Sequence, residues 1–246
     1  RSTLFPYTTL FRSPYRCAQG LSDIGISAGD AASYKSDSVR SYELGAKTRW
    51  LDRTLAVNAA AFRIDWDDLQ QTLGLGDCGY FAVVNIGAAR SQGMELEVAW
   101  SPSPIASFSL GVGYTDAEIV DNGGLTGNGA AVGSPVQNVP GWTANSGVDF
   151  DFDIGNIPTF VHADYAFVDR SFNNRNEPRI RPSYAIANLR GGITIGDWEL
   201  ALFVHNLTDE AANLADVPPM VIEYPGRPRI QVNQPRTLGV QAKVSF

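Results

Sequence analysis

The sequence predicts an all-β chain, a partial transmembrane antiparallel β-barrel of about nine strands. Three observations carry that reading. Apolar and polar residues alternate with period 2 along most of the chain. The alternating stretches run about 12–20 residues, where strands of globular proteins run about 5–6 and a tilted membrane-crossing strand needs about 9–11. The connections alternate in length, about 3, 8, 4, 18, 4, 11, 2 and 25 residues, against about 2–5 for an ordinary hairpin loop. Tight turns on one rim and long loops on the other are the pattern of outer-membrane barrels.

Composition agrees. The 246 residues carry 19 Lys+Arg against 26 Asp+Glu, a net charge of −7; an acidic chain lacks the basic face that phosphate binding wants, which excludes nucleic acid as a partner. Only 18% of residues are charged and 44% are hydrophobic, unlike a disordered tail. No run approaches the roughly 18 apolar residues of a spanning helix. With 24 Gly, 14 Pro and 11% aromatics, the chain suits strands and turns.

The strands are expected at 38–50, 54–72, 81–100, 105–119, 138–152, 157–172, 184–195, 198–209 and 235–246. The second alternates poorly around Asn58 to Phe62, so its faces stay unassigned. In the third, Met94, Leu96, Val98 and Trp100 alternate with Glu95, Glu97 and Ala99. In the fourth, Phe108, Leu110, Val112 and Tyr114 alternate with Ser107, Ser109, Gly111 and Gly113. The fifth sets Trp142, Ala144, Val148, Phe150 and Phe152 against Thr143, Asn145, Asp149 and Asp151; the sixth sets Val161, Ala163, Tyr165 and Phe167 against His162, Asp164 and Ala166. The last is the clearest: Leu238, Val240, Ala242, Val244 and Phe246 on one side, Thr237, Gly239, Gln241, Lys243 and Ser245 on the other. The short connections carry turn residues: Leu51-Asp52-Arg53, Ser101-Pro102-Ser103-Pro104, Asp153-Ile154-Gly155-Asn156 and Gly196-Asp197. The apolar face would meet lipid and the polar face a wet lumen. Trp50, Trp100 and Trp198 border short turns and mark one rim, where aromatic girdles sit. A soluble β-sandwich is the rival fold, and strands this long argue against it.

Residues 1–13 look like the in-frame translation of a sequencing-adapter oligonucleotide across Leu4 to Ser13, and are set aside from fold reasoning. Single-chain bacterial barrels close with an even number of strands, so an odd set implies further strands upstream. Residues 14–37 would be the remnant of an outer loop, and 38–246 the C-terminal strands of a larger barrel.

Residues 41–70, SYELGAKTRWLDRTLAVNAAAFRIDWDDLQ, resemble a strand–turn–strand of TonB-dependent outer-membrane receptors. So do Gly93-Met94-Glu95-Leu96-Glu97, Tyr114-Thr115-Asp116-Ala117-Glu118 and Val204-His205-Asn206-Leu207-Thr208-Asp209, while Gln234-Pro235-Arg236-Thr237-Leu238-Gly239, closing on Phe246, is similar to the family's last strand. The resemblance covers residues 38–246 by the order and spacing of these motifs. It implies a barrel of about 22 strands, a plug domain, and a TonB box that docks the energy-transducing protein TonB. It implies a location in the bacterial outer membrane, in contact with its lipid, and uptake of a scarce small-molecule ligand such as a ferric siderophore, cobalamin or a glycan. The alternative is a passive porin-like or structural barrel.

Enzyme motifs are absent: there is no G-x-S-x-G, H-E-x-x-H, P-loop or paired C-x-x-C, so no catalytic residue, cofactor or metal site is expected. His162 and His205 would stand on strands separated by another strand, about 9–10 Å apart at normal sheet spacing. Glu95, Glu97, Asp149, Asp151, Asp164, Arg190 and Lys243 read as a solvated interior wall. Recognition loops sit on rigid scaffolds, which puts ligand contact in the long loops. Arg175, Arg179 and Arg181 form the strongest basic patch and Arg227 with Arg229 a second, since guanidinium forks match carboxylate and phosphate, including the phosphates of lipopolysaccharide. Trp66, Asp67 and Asp68 are weaker candidates near a loop base. Under the resemblance, Phe246, following Val244, looks like the signal read by the barrel-assembly machinery; strand addition is the physical route to such recognition. Whether Cys78 pairs with Cys17 stays open.

Overall fold

Alternation becomes pairing in the computed structural model, which describes residues 19, 21–22, 26–27, 34–75, 80–85, 87–124, 131–173, 179–217 and 229–245. In chain order the strands are β1 (Ser38–Trp50), β2 (Leu55–Asp67), β3 (Gln70–Leu75), β4 (Tyr80–Asn85), β5 (Ala88–Ser103), β6 (Ala106–Asp121), β7 (Trp142–Ile154), β8 (Ile157–Val168), β9 (Ser171–Asn173), β10 (Arg179–Arg181), β11 (Tyr184–Ile195), β12 (Trp198–His205), β13 (Asn213–Val217), β14 (Arg229–Val232) and β15 (Thr237–Val244). Nine of them form one sheet in the order β1-β2-β5-β6-β7-β8-β11-β12-β15. Each adjoining pair is antiparallel. The sheet follows chain order, so it is an up-and-down wall whose every neighbour is a hairpin partner.

The nine expected strands are these nine, but several end sooner and three two-stranded hairpins fill what remains. The expected strand 54–72 divides at Asp68, 138–152 begins only after Asn138, and 198–209 stops at Asn206; these residues have φ of 55°, 61° and 51°. A left-handed residue cannot continue a pleated strand, and Asn and Asp enter that region at least cost after glycine. The expected strand 81–100 likewise divides beside Gly87, at φ 38°. The hairpins β3–β4, β9–β10 and β13–β14 each rise between two strands of the main sheet.

Opposite these hairpins lie the tight turns. Ile154 pairs with Ile157 and Ile195 with Trp198, leaving two-residue loops led by Gly155 and Gly196 at φ 66° and 58°, the conformation that strand twist demands there. Leu51, Asp52 and Arg53 are all left-handed, at φ 53°, 53° and 73°. That turn is held by Thr54, whose backbone N–H and Oγ1 both donate to the Leu51 carbonyl at 3.0 and 2.7 Å.

One face of the wall packs glycine against aromatic rings across strands. Phe62 stands opposite Gly93, Phe160 opposite Gly192, and Phe203 opposite Gly239. A Cβ on Gly239 would lie 2.2 Å from the Phe203 ring, which supplies its three nearest atoms. A Cβ on Gly93 would meet the Tyr114 backbone carbonyl at 2.1 Å as well as the Phe62 ring. Gly239→Ala should therefore lower unfolding free energy in detergent micelles by about 1–3 kcal/mol, and a Phe203→Ala background should remove most of that loss. Gly93→Ala should stay destabilising in a Phe62→Ala background, because a backbone oxygen cannot move aside.

Candidate functional site

The register sorts the side chains into two faces of opposite chemistry. Starting at β15, Leu238 stands opposite Val204, Val204 opposite Leu189, Leu189 opposite Ala163, and Ala163 opposite Val148. The same row continues through Phe108, Trp100, Leu55 and Trp50. One apolar residue from every strand thus forms an unbroken line across the sheet. Parallel lines above and below it bring in Leu44, Leu96, Leu110, Phe150, Leu202 and Val240. Leu44, Leu238 and Val240 are 81%, 74% and 77% exposed. A soluble sandwich would cover such a face, since large contiguous apolar surfaces mark an interface. From Trp142 to Phe152, about 11 residues at about 3.3 Å each and tilted about 45° make a band about 25 Å tall, the height of a barrel's lipid-facing belt.

Aromatic residues bound this band. Trp100 stacks on Phe108 at 5.4 Å and Phe108 meets Phe150 edge-on at 6.0 Å beside the tight turns, while Tyr114 leans on Trp142 at 4.8 Å toward the loops. Beyond the band, on the same face, the loop-side ends of β1, β2 and β5 carry charge. Arg40 pairs with Asp67 at 2.5 Å, and Asp65 is shared by Arg63 and Arg90, each at 3.0 Å. Sequence reading named only Asp67 of this cluster, because the cluster joins three strands.

The opposite face is polar. His162 Nδ1 lies 2.6 Å from Asp149 Oδ1 and its Nε2 3.5 Å from Asp164 Oδ1. Asn188 donates to Asp164 at 2.7 Å. Arg190 donates to Glu199 at 2.8 Å and to Gln241 at 2.9 Å, with its guanidinium 5.1 Å from the centre of the Phe160 ring. Asn58 donates to Glu97 at 3.2 Å. The expected wall residues do share one face, and the structure links Asp149, Asp164 and Arg190 to His162, Asn188, Glu199 and Gln241. His162 and His205 stand on β8 and β12, separated by β11. Among the described residues no group of three or more His, Cys, Asp or Glu side chains could hold a metal ion.

The long-loop rim is tied at several points by asparagine. Asn85 receives the Lys35 N–H at 2.7 Å and donates to the Lys35 and Asp68 carbonyls at 3.0 and 2.7 Å. Buried Asn206 donates to the Glu210 and Gln234 carbonyls at 2.9 and 3.1 Å, and its backbone N–H donates to Asn188 at 2.8 Å. Trp66 Nε1 donates to Asp37 at 2.8 Å; Asp67 pairs with Arg40, and the Asp68 carbonyl takes the Asn85 bond. Of the basic candidates, Arg181 ends β10 and pairs with Asp216 at 2.9 Å, the two side chains being 14% and 18% exposed. The Asp216 carboxyl is held below its usual range. Burial pushes it up, and hydrogen bonds from Asn213, Arg181 and Asn173 with the Arg181 charge outweigh that. A lowered folded-state pKa means that the pair's stabilisation is complete above the ordinary carboxylate range and disappears only as pH falls through the depressed value. Arg179 is backbone-paired with Asn173, and Arg229 is exposed at the start of β14, opposite Val217. Val244 faces Trp198. Arg175, Arg227, Phe246, Cys17 and Cys78 lie outside the described residues.

Residues 5–207 match the family model described as TonB dependent receptor-like, β-barrel. The chain belongs to this family. Among solved structures it is similar to the ferric yersiniabactin uptake receptor FyuA from Yersinia pestis, at 21% identity and a TM-score of 0.68, over 85% of this chain and 30% of that one. It is also similar to the ferric-catecholate import receptor Fiu of E. coli K12 (20% identity, TM-score 0.66, 87% of this chain and 28% of that one). The siderophore receptor PiuA from Acinetobacter baumannii matches at 20% identity and a TM-score of 0.64, over 83% and 28%. The chain therefore spans about 30% of the length of FyuA.

For a TonB-dependent receptor barrel the two faces have fixed meanings: the apolar one meets lipid and the polar one lines the interior. No helix among the described residues is long and apolar enough to cross a membrane, and this family crosses with strands. Neighbouring residues of β5 test the assignment. Leu96→Lys, in the middle of the apolar band, should cost about 2–4 kcal/mol of barrel stability, whereas Glu95→Lys, on the interior face, should cost well under that. Equal losses in lipid-vesicle unfolding titrations would reverse or abolish the two faces.

Proposed function

We propose that this chain is the C-terminal part of an outer-membrane receptor for TonB-energised uptake of a scarce ligand, with a ferric siderophore favoured over cobalamin or a glycan. The carrying observation is the nine-stranded wall itself: one face apolar, the other polar, hairpins gathered on one rim, and similar in fold to receptors for ferric yersiniabactin and ferric catecholate. In this reading residues 38–246 supply strands of that barrel. TonB would engage a segment outside this chain, and outer-membrane lipid would cover the apolar band. Ligand contact is assigned to the basic residues Arg175, Arg179, Arg181, Arg227 and Arg229, because guanidinium forks on loops carried by a rigid scaffold suit an anionic ligand.

The test is uptake by the complete reading frame in iron-starved cells with and without TonB, using ⁵⁵Fe-labelled siderophores of the catecholate and phenolate classes and labelled cobalamin. TonB-dependent accumulation of one of them is the expected result. Passive flux indifferent to TonB would favour a porin-like channel instead. Replacing Arg179 and Arg229 together by Ala should weaken apparent affinity about tenfold, the scale of one lost charge-assisted contact; unchanged affinity removes the patch from the binding site.

Phe246 is assigned to assembly. A terminal aromatic after alternating apolar residues presents an edge strand that a partner can read by strand addition. Deleting Phe246 from the complete protein should reduce the heat-modifiable, folded species in the outer membrane, and undiminished folded levels would refute the role.

A further inference from the structure

Arg181 stands where three outer connections meet. Its guanidinium donates to Asp216 Oδ2 at 2.9 Å and to Asn138 Oδ1 at 3.1 Å. Asp216 belongs to β13, Arg181 to β10, and Asn138 to the connection between β6 and β7. Asn213 donates to the other Asp216 oxygen at 3.1 Å, and Asn173 of β9 also hydrogen-bonds that carboxylate. A backbone bond from the Asn138 N–H to the Phe172 carbonyl, at 2.8 Å, ties the same two connections again. The three connections rise from strand pairs that follow one another around the wall: β6–β7, β8–β11 and β12–β15.

The short hairpins need this tie. Strands as brief as β9 and β10 do not hold together in water as an isolated hairpin. A half-buried guanidinium–carboxylate pair is a poor source of net stability, but removing one partner leaves the other charge with little water around it. Such a pair therefore specifies one arrangement of the elements it joins. The node also stops short of full satisfaction: Arg181 Nε and Asn213 Oδ1 are buried and have no hydrogen-bond partner among the described residues. Unpaired buried polar atoms offset part of what the node's other hydrogen bonds contribute.

The geometry points to Arg181 as a positioning residue: with Asp216 and Asn138 it latches three consecutive outer connections into one rigid rim. Its importance for recognition rests on the receptor reading above. The latch itself does not, and it is measured without any ligand.

The experiment is hydrogen–deuterium exchange on the complete, ligand-free protein in detergent, comparing wild type with Arg181→Ala, Asp216→Ala, the double variant, Arg181→Lys and the charge swap Arg181→Asp/Asp216→Arg. Each single alanine should speed exchange about tenfold or more in both hairpins and in 131–141, with the main sheet unchanged. The double variant should add nothing further, and the swap and Arg181→Lys should restore part of the protection. Faster exchange confined to the mutated hairpin, additive effects, or no restoration by the swap would overturn the latch. If an alanine variant does not assemble, Arg181→Lys and the swap decide alone: partial and mutually similar protection across all three connections supports the latch, and wild-type exchange in both 131–141 and 213–217 for either one, with loss only in 171–181, overturns it. Failed uptake with this exchange pattern intact would sink the receptor reading and leave the latch standing.

Discussion

The antiparallel hydrogen-bond ladder is the constraint from which the rest of this structure follows. In hydrocarbon there is no water to satisfy a stray N–H or C=O, so every strand must be paired along its length. Pairing fixes register, and register fixes chemistry. The line from Leu238 through Val204, Leu189, Ala163, Val148 and Phe108 is apolar throughout. One residue away, the line Gly239, Phe203, Arg190, His162, Asp149, Ser107 carries the polar network of the interior. A slip of one position would exchange them and put a histidine, an arginine and an aspartate on the apolar face.

The interior face pairs glycines with aromatic rings across strands. Glycine opposite an aromatic ring lets the rings of Phe62, Phe160 and Phe203 occupy space that a Cβ on the neighbouring strand would take. Phe160 then serves as the floor for Arg190, whose guanidinium sits above its ring while its donors reach Glu199 and Gln241. Packing and polar order on this wall are thus one arrangement. A residue that only fills space on one strand positions a charge supplied by the next.

The two rims differ for a related reason. On the tight-turn side the strands are joined by the fewest residues that twist allows, so little freedom remains there. On the other side left-handed Asp68 and Asn206 end strands and Asn138 precedes one, and the chain forms hairpins too small to persist alone. Side-chain ties replace the missing ladder: Asn85 and Asn206 at the loop bases, Arg181 with Asp216 and Asn138 higher up. Similarity to FyuA and Fiu extends over the wall at about one-fifth identity. A fold can persist at that level because the ladder asks for a period, not for particular residues.

Sequence alone determined what depends on local period and local turn chemistry. The nine strands, the alternation of turn lengths and, outside β2, the apolar face were legible because each is written within a dozen residues. The left-handed Asn and Asp that end strands were also there to be read, yet period-2 counting passes over them, which is why β3–β4, β9–β10 and β13–β14 went unseen. What the tertiary structure alone decided are the partnerships between residues far apart in the chain. Arg181, legible as a loose loop cation, became a half-buried partner of Asp216, 35 positions away. His162 met Asp149 and Asp164, and Asp65 gathered Arg63 and Arg90. Those contacts depend on register across strands and on the path of loops, and neither is encoded in any single stretch of the chain.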